Sequence, residues 1–375
     1  MDKLKIIHII PSIKIGGAEI LVIDICVEIS KRKNYEVKLI TFSNEYGLNE
    51  ISQSFHYHIP SYYHPSISAK SEINTCELQD FINDFNPDII HSHLWESEIL
   101  LTQLKIKKAV RFSHFHDNMY QLRRTLFPTG KKDLTDLFEK NKILKSKLSN
   151  FICISKDTLL YAKKVLPKKL TQNIHLLSNA IDYKKFQNNN IKKPTKLRLI
   201  NVGSFVAKKN QTFLIDILLE LKKRDIQCEL FLLGEGEELQ KVKDKAFVNG
   251  LKNEIHFLGN VNNVEEELWK SHLYIHSAYY EPFGLVLLEA MAAGLPVVSL
   301  DGKGNRDFIK NGINGYILEN EDPKLFSDII MNLVQNKELY GEIAEKGKVT
   351  AQKYDIKNYT TKLINIYKDS MSSKN

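Results

Sequence analysis

Apolar and polar positions along this chain follow two alternating periods. KLKIIHII (residues 3–10) is an isoleucine-rich stretch of strand length and reads as a buried strand, and AEILVIDICVEISK (18–31) spaces its apolar residues as a helix does. YEVKLITF (35–42), PDIIHSHL (87–94) and NFICIS (150–155) read as further strands with helical material between them. Strand and helix in alternation predict a parallel sheet with helices on both faces. YKKFQNNNIKKPTK (183–196) is polar and reads as a linker. The pattern then restarts. LRLINVGSF, CELFLLGEG, EIHFLGN, LYIHSA and PVVSL read as strands, separated by helices at QTFLIDILLELKKR, EELQKVKDKAFVNG and NVEEELWKS. Two last helices are expected near 324–336 and 357–368. The predicted architecture is α/β, with two Rossmann-like doubly wound domains, 1–185 and 196–354, facing each other across a ligand-binding cleft.

Length agrees with that division, because 375 residues exceed one ordinary core. The four cysteines lack a CxxC spacing and read as small buried hydrophobes in a reducing compartment. No apolar run reaches the roughly 18 residues of a membrane span, and the short apolar start suits a first strand better than a secretory signal. These features suggest a cytoplasmic protein. The formal net charge is +8, and residues 120–170 hold thirteen Lys or Arg against four Asp or Glu, a local excess of +9. Such a stretch is either a lysine-rich solvated surface or a face that attracts anions such as lipid headgroups. No aromatic platform accompanies it, so nucleic acid is not an expected partner.

Glycine-rich turns narrow the chemistry. Gly16 and Gly17 join the first strand to the first helix, where backbone N–H groups can approach an anion; a tight connection is the alternative. Neither this turn nor Gly234-Glu235-Gly236 completes GxGxxG, and no GK[ST] is present. Dinucleotide and P-loop readings are therefore excluded. In NVGSFVAKKNQ, Lys209 follows a strand end, where it is either a phosphate-binding cation or an exposed loop lysine.

AYYEPFGLVLLEAMAAGLPVV (278–298) carries two carboxylates eight residues apart. Pro282 halts the strand, and Phe283, Gly284 and Leu285 open a helix whose first N–H groups have no internal partner and favour a diphosphate. Glu289 lies one turn inside, among apolar neighbours, where an unpartnered carboxylate is costly; a ribose diol would suit it. Glu281 sits on the preceding loop, either contacting sugar hydroxyls or acting as an ordinary acid near a helix start.

The segment EPFGLVLLEAMAAGLPVVSLDGKGNRDFI resembles the signature of retaining family-4 (group 1) glycosyltransferases of the GT-B fold, of the bacterial capsular or exopolysaccharide type. GGAE, IIHSHL, RFSHFHDN, CISK, LSNAID, VGSFVAKKNQ, LLGEGEE and IHFLGN agree in order along nearly the whole chain. The resemblance implies that Glu289 holds the nucleotide ribose and that Glu281 contacts the donor sugar. It implies that the backbone of Phe283, Gly284 and Leu285 and the Lys209 ammonium meet the sugar diphosphate. Gly16 and Gly17 would line donor phosphates and acceptor, and His116 would stand near the reacting sugar, with His93 and His114 as weaker candidates. The last residues, 355–375, would cross back to the first domain. The sequence departs from the family after the glycine of VGS, where an arginine is usual and Ser204 stands; Lys208 or Arg306 would substitute.

The implied reaction is hexosyl-type transfer from a nucleotide diphosphate sugar, a UDP-sugar by resemblance, to a hydroxyl of a polysaccharide- or lipid-linked acceptor. Retention would come from attack on the face of departure. No cofactor is expected, and the absence of DxD points away from a metal holding the diphosphate. Residues 120–170 would supply peripheral contact with an anionic inner membrane face. Two alternatives accompany this reading: a GT-B epimerase or phosphorylase, and a weakly catalytic scaffold homologue suggested by Ser204.

Overall fold

The computed structural model describes residues 3–13, 16–43, 54–60, 75–119, 143, 147–187 and 193–372. The chain divides into two compact units, residues 1–180 with 356–375, and residues 181–355.

The first unit contains β1 (Leu4–Ile9), α1 (Gly17–Ser30), β2 (Tyr35–Thr41), β3 (His56–His58), α2 (Cys76–Phe85) and β4 (Ile89–His93). It continues through α3 (Leu94–Gln103), β5 (Val110–Phe115), β6 (Asn150–Cys153), α4 (Lys156–Val165) and β7 (Ile174–Leu176). All seven strands are parallel, in the order β3-β2-β1-β4-β5-β6-β7. Parallel strands are covered on both faces, so successive side chains serve different cores. Ile6 packs with Leu21, Ile25 and Phe112 on one face, while Ile7 and Ile9 pack with Leu100, Phe151 and Tyr161 on the other.

The second unit opens with α5 (Tyr183–Phe186), β8 (Leu197–Val202), α6 (Thr212–Lys223), β9 (Cys228–Leu233), α7 (Leu239–Val248) and β10 (Ile255–Gly259). It closes with α8 (Val264–Trp269), β11 (Leu273–His276), α9 (Leu285–Ala292), β12 (Val297–Leu300), β13 (Tyr316–Leu318), α10 (Pro323–Gln335) and α11 (Lys337–Lys353). Its parallel sheet runs β10-β9-β8-β11-β12-β13, reversing direction of strand addition between β8 and β11. The first sheet reverses likewise between β1 and β4. In doubly wound sheets ligands bind beyond the strand C-termini at such switch points.

Three sequence readings need correction. Residues 183–186 are not linker but helix: the Asp182 carboxylate accepts from Lys184 and Lys185 N–H, Phe186 is buried, and Trp269 Nε1–H donates to the Phe186 carbonyl at 2.9 Å. Residues 188–192 lie outside the described set. The helix α11 was not anticipated. Its buried positions are Ile343, Ala344, Gly347 and Ala351, mostly small residues, so its contact face shows little apolar periodicity. A Cβ at Gly347 would lie 3.4 Å from Met291 Cγ, so the small residues let α11 close on α9. Finally, Cys26, Cys153 and Cys228 are buried, but Cys76 at the start of α2 is exposed.

The last helix, α12 (Ile356–Ser372), returns to the first unit. It buries Ile356, Tyr359, Leu363, Ile364 and Tyr367, spaced along one helical face, in the core that holds Ile6, Ile25 and Phe112. Each such side chain is worth about 1.5–3 kcal/mol on burial. Ending the chain after Asp355 is therefore expected to unfold the first unit selectively. Hydrogen exchange by mass spectrometry should show β1, β4 and β5 losing protection while β8, β9 and β11 keep theirs; equal loss in both units would contradict the assignment.

Candidate active site

The chemistry-bearing residues of the second unit gather after β8 and β11. Beyond β8 a 3-10 turn spans Ala207–Lys209, and Asn210 takes a left-handed conformation that turns the chain into α6. Ser277, just past β11, donates its hydroxyl to the Lys209 carbonyl at 2.7 Å and ties the two loops together. Lys209 Nζ meets Glu281 Oε2 at 2.5 Å, and His276 Nε2 lies 3.2 Å from the same oxygen. Glu281 and His276 are both buried. Glu281 is thus not an acid at an exposed helix start, and Lys209 is not a free loop lysine.

A second loop fixes the glutamate's backbone. Glu281 N–H donates to Gly302 O at 2.7 Å, and Gly304 N–H donates to Glu281 O at 3.0 Å. Added at Gly304, a Cβ would fall 1.9 Å from Pro282 O, so that approach demands glycine. Buried Asn305 holds the loop in place. Its Oδ1 accepts from Gly302 N–H at 2.9 Å, and its Nδ2 donates to Ser299 Oγ and Leu300 O, each at 2.8 Å.

Burial alone would raise the Glu281 pKa, but Lys209 and the His276 hydrogen bond outweigh it and hold the carboxyl ionised, well below its usual range. Burial lowers the His276 pKa, with partial compensation from Glu281. His276 is therefore neutral and donates Nε2–H to Glu281, while its Nδ1 is buried without a partner among the described residues. Tyr274, two residues earlier on β11, donates its hydroxyl to Val202 O at 3.0 Å. Burial raises its pKa, and Glu281 and Glu289 add to the effect, so both carboxylates stand near this phenol.

The helix α9 begins where expected. Gly284 is its N-cap with φ +102°, a left-handed geometry that favours glycine. Leu287 and Leu288 N–H turn back to Gly284 O, while Leu285 and Val286 head the helix without intrahelical acceptors. Glu289 is buried one turn inside. The Phe283 side chain is core, with its ring centroid 5.3 Å from Phe308 and 5.8 Å from Tyr354, leaving its backbone at the helix start. Ser204 is exposed, and its carbonyl accepts from Gln211 Nε2 at 3.0 Å. The cations expected to replace an arginine there are otherwise placed. Arg306 is ion-paired with Asp301, and Lys208 Nζ lies 5.6 Å from the Tyr280 ring centroid.

In the first unit, Gly16 caps α1 in extended conformation with Gly17 as the first helical residue, directly beyond β1. His116 follows β5 and belongs to a buried stack of five histidines with His8 on β1, His91 and His93 on β4, and His114 on β5. Register places them on one sheet face, with His8 opposite His91 and His93 opposite His114. His93 Nδ1 contacts His116 Nε2 at 3.0 Å, and His8 Nδ1 contacts His93 Nε2 at 2.9 Å. Tyr367 from α12 reaches His91 Nδ1 at 2.6 Å and His8 Nε2 at 3.5 Å. Both ring nitrogens of His114 and the Nε2 of His91 are buried without partners among the described residues. Nitrogens of His8, His91 and His93, and of His93, His114 and His116, lie within 4.8 Å of one another. The paired rings are inclined by at most 39°, and His114 stacks on His116 at 4.2 Å and 13°. Four of these nitrogens are already engaged with one another, His8 Nδ1 with His93 Nε2 and His93 Nδ1 with His116 Nε2, so the arrangement suits a hydrogen-bonded chain better than a coordination sphere.

Sequence reasoning did not single out His276, although it ends a strand five residues before Glu281. Asn305, Gly302, Gly304 and Tyr367 were missed as well, because their roles arise only where separate loops and helices meet.

Comparison with known proteins bears on the family and the fold. Residues 15–185 match the family model described as Glycosyltransferase Family 4, and residues 182–350 match Glycosyl transferases group 1. The chain belongs to the glycosyltransferases of the GT-B fold. An uncharacterized glycosyltransferase of Haemophilus influenzae is 21% identical over 91% of this chain and 93% of its own length. The poly(glycerol-phosphate) alpha-glucosyltransferase of Bacillus subtilis is 27% identical over 44% of this chain, which spans 24% of that relative. The crystal structure of Anabaena Alr3699/HepE in complex with UDP-glucose superposes with a TM-score of 0.77 at 17% identity, covering 99% of this chain and all of that one. That likeness shows the fold.

Two outcomes are expected. Glu281→Gln leaves Lys209 facing a neutral group and should destabilise the second unit by about 3 kcal/mol at pH 7. Because the folded Glu281 pKa is depressed, its stabilisation is present above the unfolded value of about 4.3 and is lost as pH falls below it. Denaturant titrations of wild type and variant should therefore converge in acid; a gap that persists at low pH would refute the assignment. Burial lowers the pKa of His8 and of His116 to about 3, so the folded first unit takes up protons less readily than the unfolded chain below about pH 6.5. Amide protection of β1, β4 and β5 should fall steadily from pH 7 to pH 5, and His8→Phe should flatten the slope.

Proposed function

We propose that the protein transfers a hexosyl group from a UDP-sugar to a hydroxyl of a polysaccharide- or lipid-linked acceptor, with retention of configuration. The observation that carries this reading is the Lys209–Glu281–His276 cluster beside the start of α9, with Glu289 one turn inside. The fold shared with a structure described in complex with UDP-glucose supports it, as does the match to group 1 glycosyltransferases. Lys209 and the leading N–H groups of α9 would take the charge of the departing diphosphate. Glu289 would accept two hydrogen bonds from the ribose diol. Glu281, ionised and held by the 302–305 loop, would accept from donor-sugar hydroxyls, with His116 on the acceptor side. Stabilisation of the leaving group by lysine and helix N–H groups needs no metal in this scheme, and attack on the face of departure would retain configuration.

The basic stretch proposed to touch an anionic membrane lies largely in residues 120–142 and 144–146, outside the described set. Within its described part, Lys163, Lys164, Lys168 and Lys169 are exposed. No helix among the described residues is long and apolar enough to cross a membrane.

Titration calorimetry with UDP, together with a transfer assay over a panel of nucleotide sugars, tests the roles. Glu289→Ala should weaken UDP binding at least about tenfold, the value of a charge-assisted hydrogen bond. Glu281→Ala should lower transfer by about 100- to 1000-fold while UDP affinity changes little. Full transfer by both variants would overturn the proposal.

A further inference from the structure

The buried histidines are a connected chain rather than a loose cluster. The ring centroids of His8 and His93 are 5.2 Å apart with planes inclined 22°, while their facing nitrogens are 2.9 Å apart. For His93 and His116 the centroids are 5.3 Å apart and the nitrogens 3.0 Å. In each pair the centroid separation exceeds the nitrogen separation by 2.3 Å (5.2 less 2.9, and 5.3 less 3.0), roughly the two ring radii, so these rings meet edge to edge along the hydrogen bond. Tyr367 joins the inner end, touching His8 Nε2 and His91 Nδ1. No described residue bonds the Nδ1 of His116, which stands at the C-terminal edge of β5.

The direction of the chain follows from counting protons. A neutral imidazole has one N–H and one bare nitrogen, so each link fixes the next. The Tyr367–His91 contact of 2.6 Å is of hydroxyl-donor length, shorter than an N–H donor usually gives. Burial raises the Tyr367 pKa, so the phenol keeps its single proton. With that proton given to His91, Tyr367 presents only lone pairs to His8 Nε2 at 3.5 Å, a long contact that favours a hydrogen on that nitrogen. His8 Nδ1 is then bare and accepts from His93 Nε2–H. His93 Nδ1 is bare in turn and accepts from His116 Nε2–H.

We propose that Tyr367, acting through His8 and His93, is a positioning residue that locks His116 in the Nε2–H tautomer. His116 then offers a bare Nδ1 to a hydroxyl of the bound sugar or acceptor. The ligand assignment rests on the proposed transferase function; the tautomer does not. His91 terminates the chain, and its Nε2–H is the cost of this polarity, because no described group accepts it. His114 stacks on His116 without a hydrogen bond and keeps the ring from turning.

Long-range proton–nitrogen spectra of the untagged full chain, labelled with 15N-histidine and assigned by His116→Gln, test this directly. Wild-type His116 should show a protonated Nε2 and an unprotonated Nδ1; the reverse pattern, or rapid averaging, overturns the proposal. Tyr367→Phe removes the oxygen that accepts from His8 and should shift His116 from one tautomer to a mixture. His8→Asn cuts the chain one link further out and should do the same if Tyr367→Phe folds poorly. A His116 still locked at Nε2 in a folded variant sinks the role given to Tyr367. With an active donor and acceptor in hand, Tyr367→Phe should lower kcat by up to about a hundredfold, the lower bound for a positioned proton acceptor, with KM nearly unchanged. If no sugar is transferred by the wild type, the transferase reading fails while the spectra still decide the tautomer.

Discussion

A buried carboxylate must find a cation or lose its charge, and the second unit is organised around meeting that demand at Glu281. Lys209 supplies the cation from the loop after β8, and His276 supplies a hydrogen bond from the end of β11. For these groups to meet, the two loops must be joined, which Ser277 does through the Lys209 carbonyl. The glutamate's own backbone must also be immobile. Gly302 and Gly304 approach it more closely than any side chain would allow, and Asn305 holds them there. Hydrogen bonds from three loops thus position the Glu281 carboxylate against Lys209.

The same topological device recurs in both units with different chemistry. Each sheet reverses its order of strand addition once, and each reversal carries the polar residues. In the second unit, at β8 and β11, the content is ionic. In the first it is five neutral histidines, three of them on β1 and β4, one on β5 and His116 just beyond it; the four on strands take positions that a parallel sheet normally fills with valine or isoleucine. Neutral imidazoles can be buried where charges cannot, provided their nitrogens find partners, and among the described residues six of the ten do, four with one another and two with Tyr367. The unpartnered nitrogens of His114 and His91 show that packing for stability alone would not choose this stack.

The last helix links chain connectivity to this chemistry. It leaves the second unit after Asp355, buries five large side chains in the first, and places Tyr367 against His8 and His91. A helix that completes a core thus also completes a polar network, because the histidine chain meets its Tyr367 end only where residues 356–372 pack.

Local pattern was enough to reveal the alternating strands, the parallel sheets, the restart near residue 197 and the start of α9 at Leu285. Each of these depends on apolar periodicity or on the stereochemistry of proline and glycine, which neighbouring residues carry. Pattern missed α11, because alanine and glycine make a contact face without an apolar stripe, and it mistook residues 183–186 for linker, because Phe186 is buried only by Trp269 and the helices around it. Candidate residues were named from the sequence where they follow a strand, as Lys209, Glu281 and His116 do, or lie one turn inside a helix, as Glu289 does. Their partners were not. His276 against Glu281, Asn305 behind Gly302, and Tyr367 at the end of the histidine chain are pairings across as many as 359 positions. The sequence by itself determined which strands and turns can form. Only the tertiary structure decided which charges are buried and which protons are shared, because ionisation and hydrogen bonding depend on what surrounds a group in space.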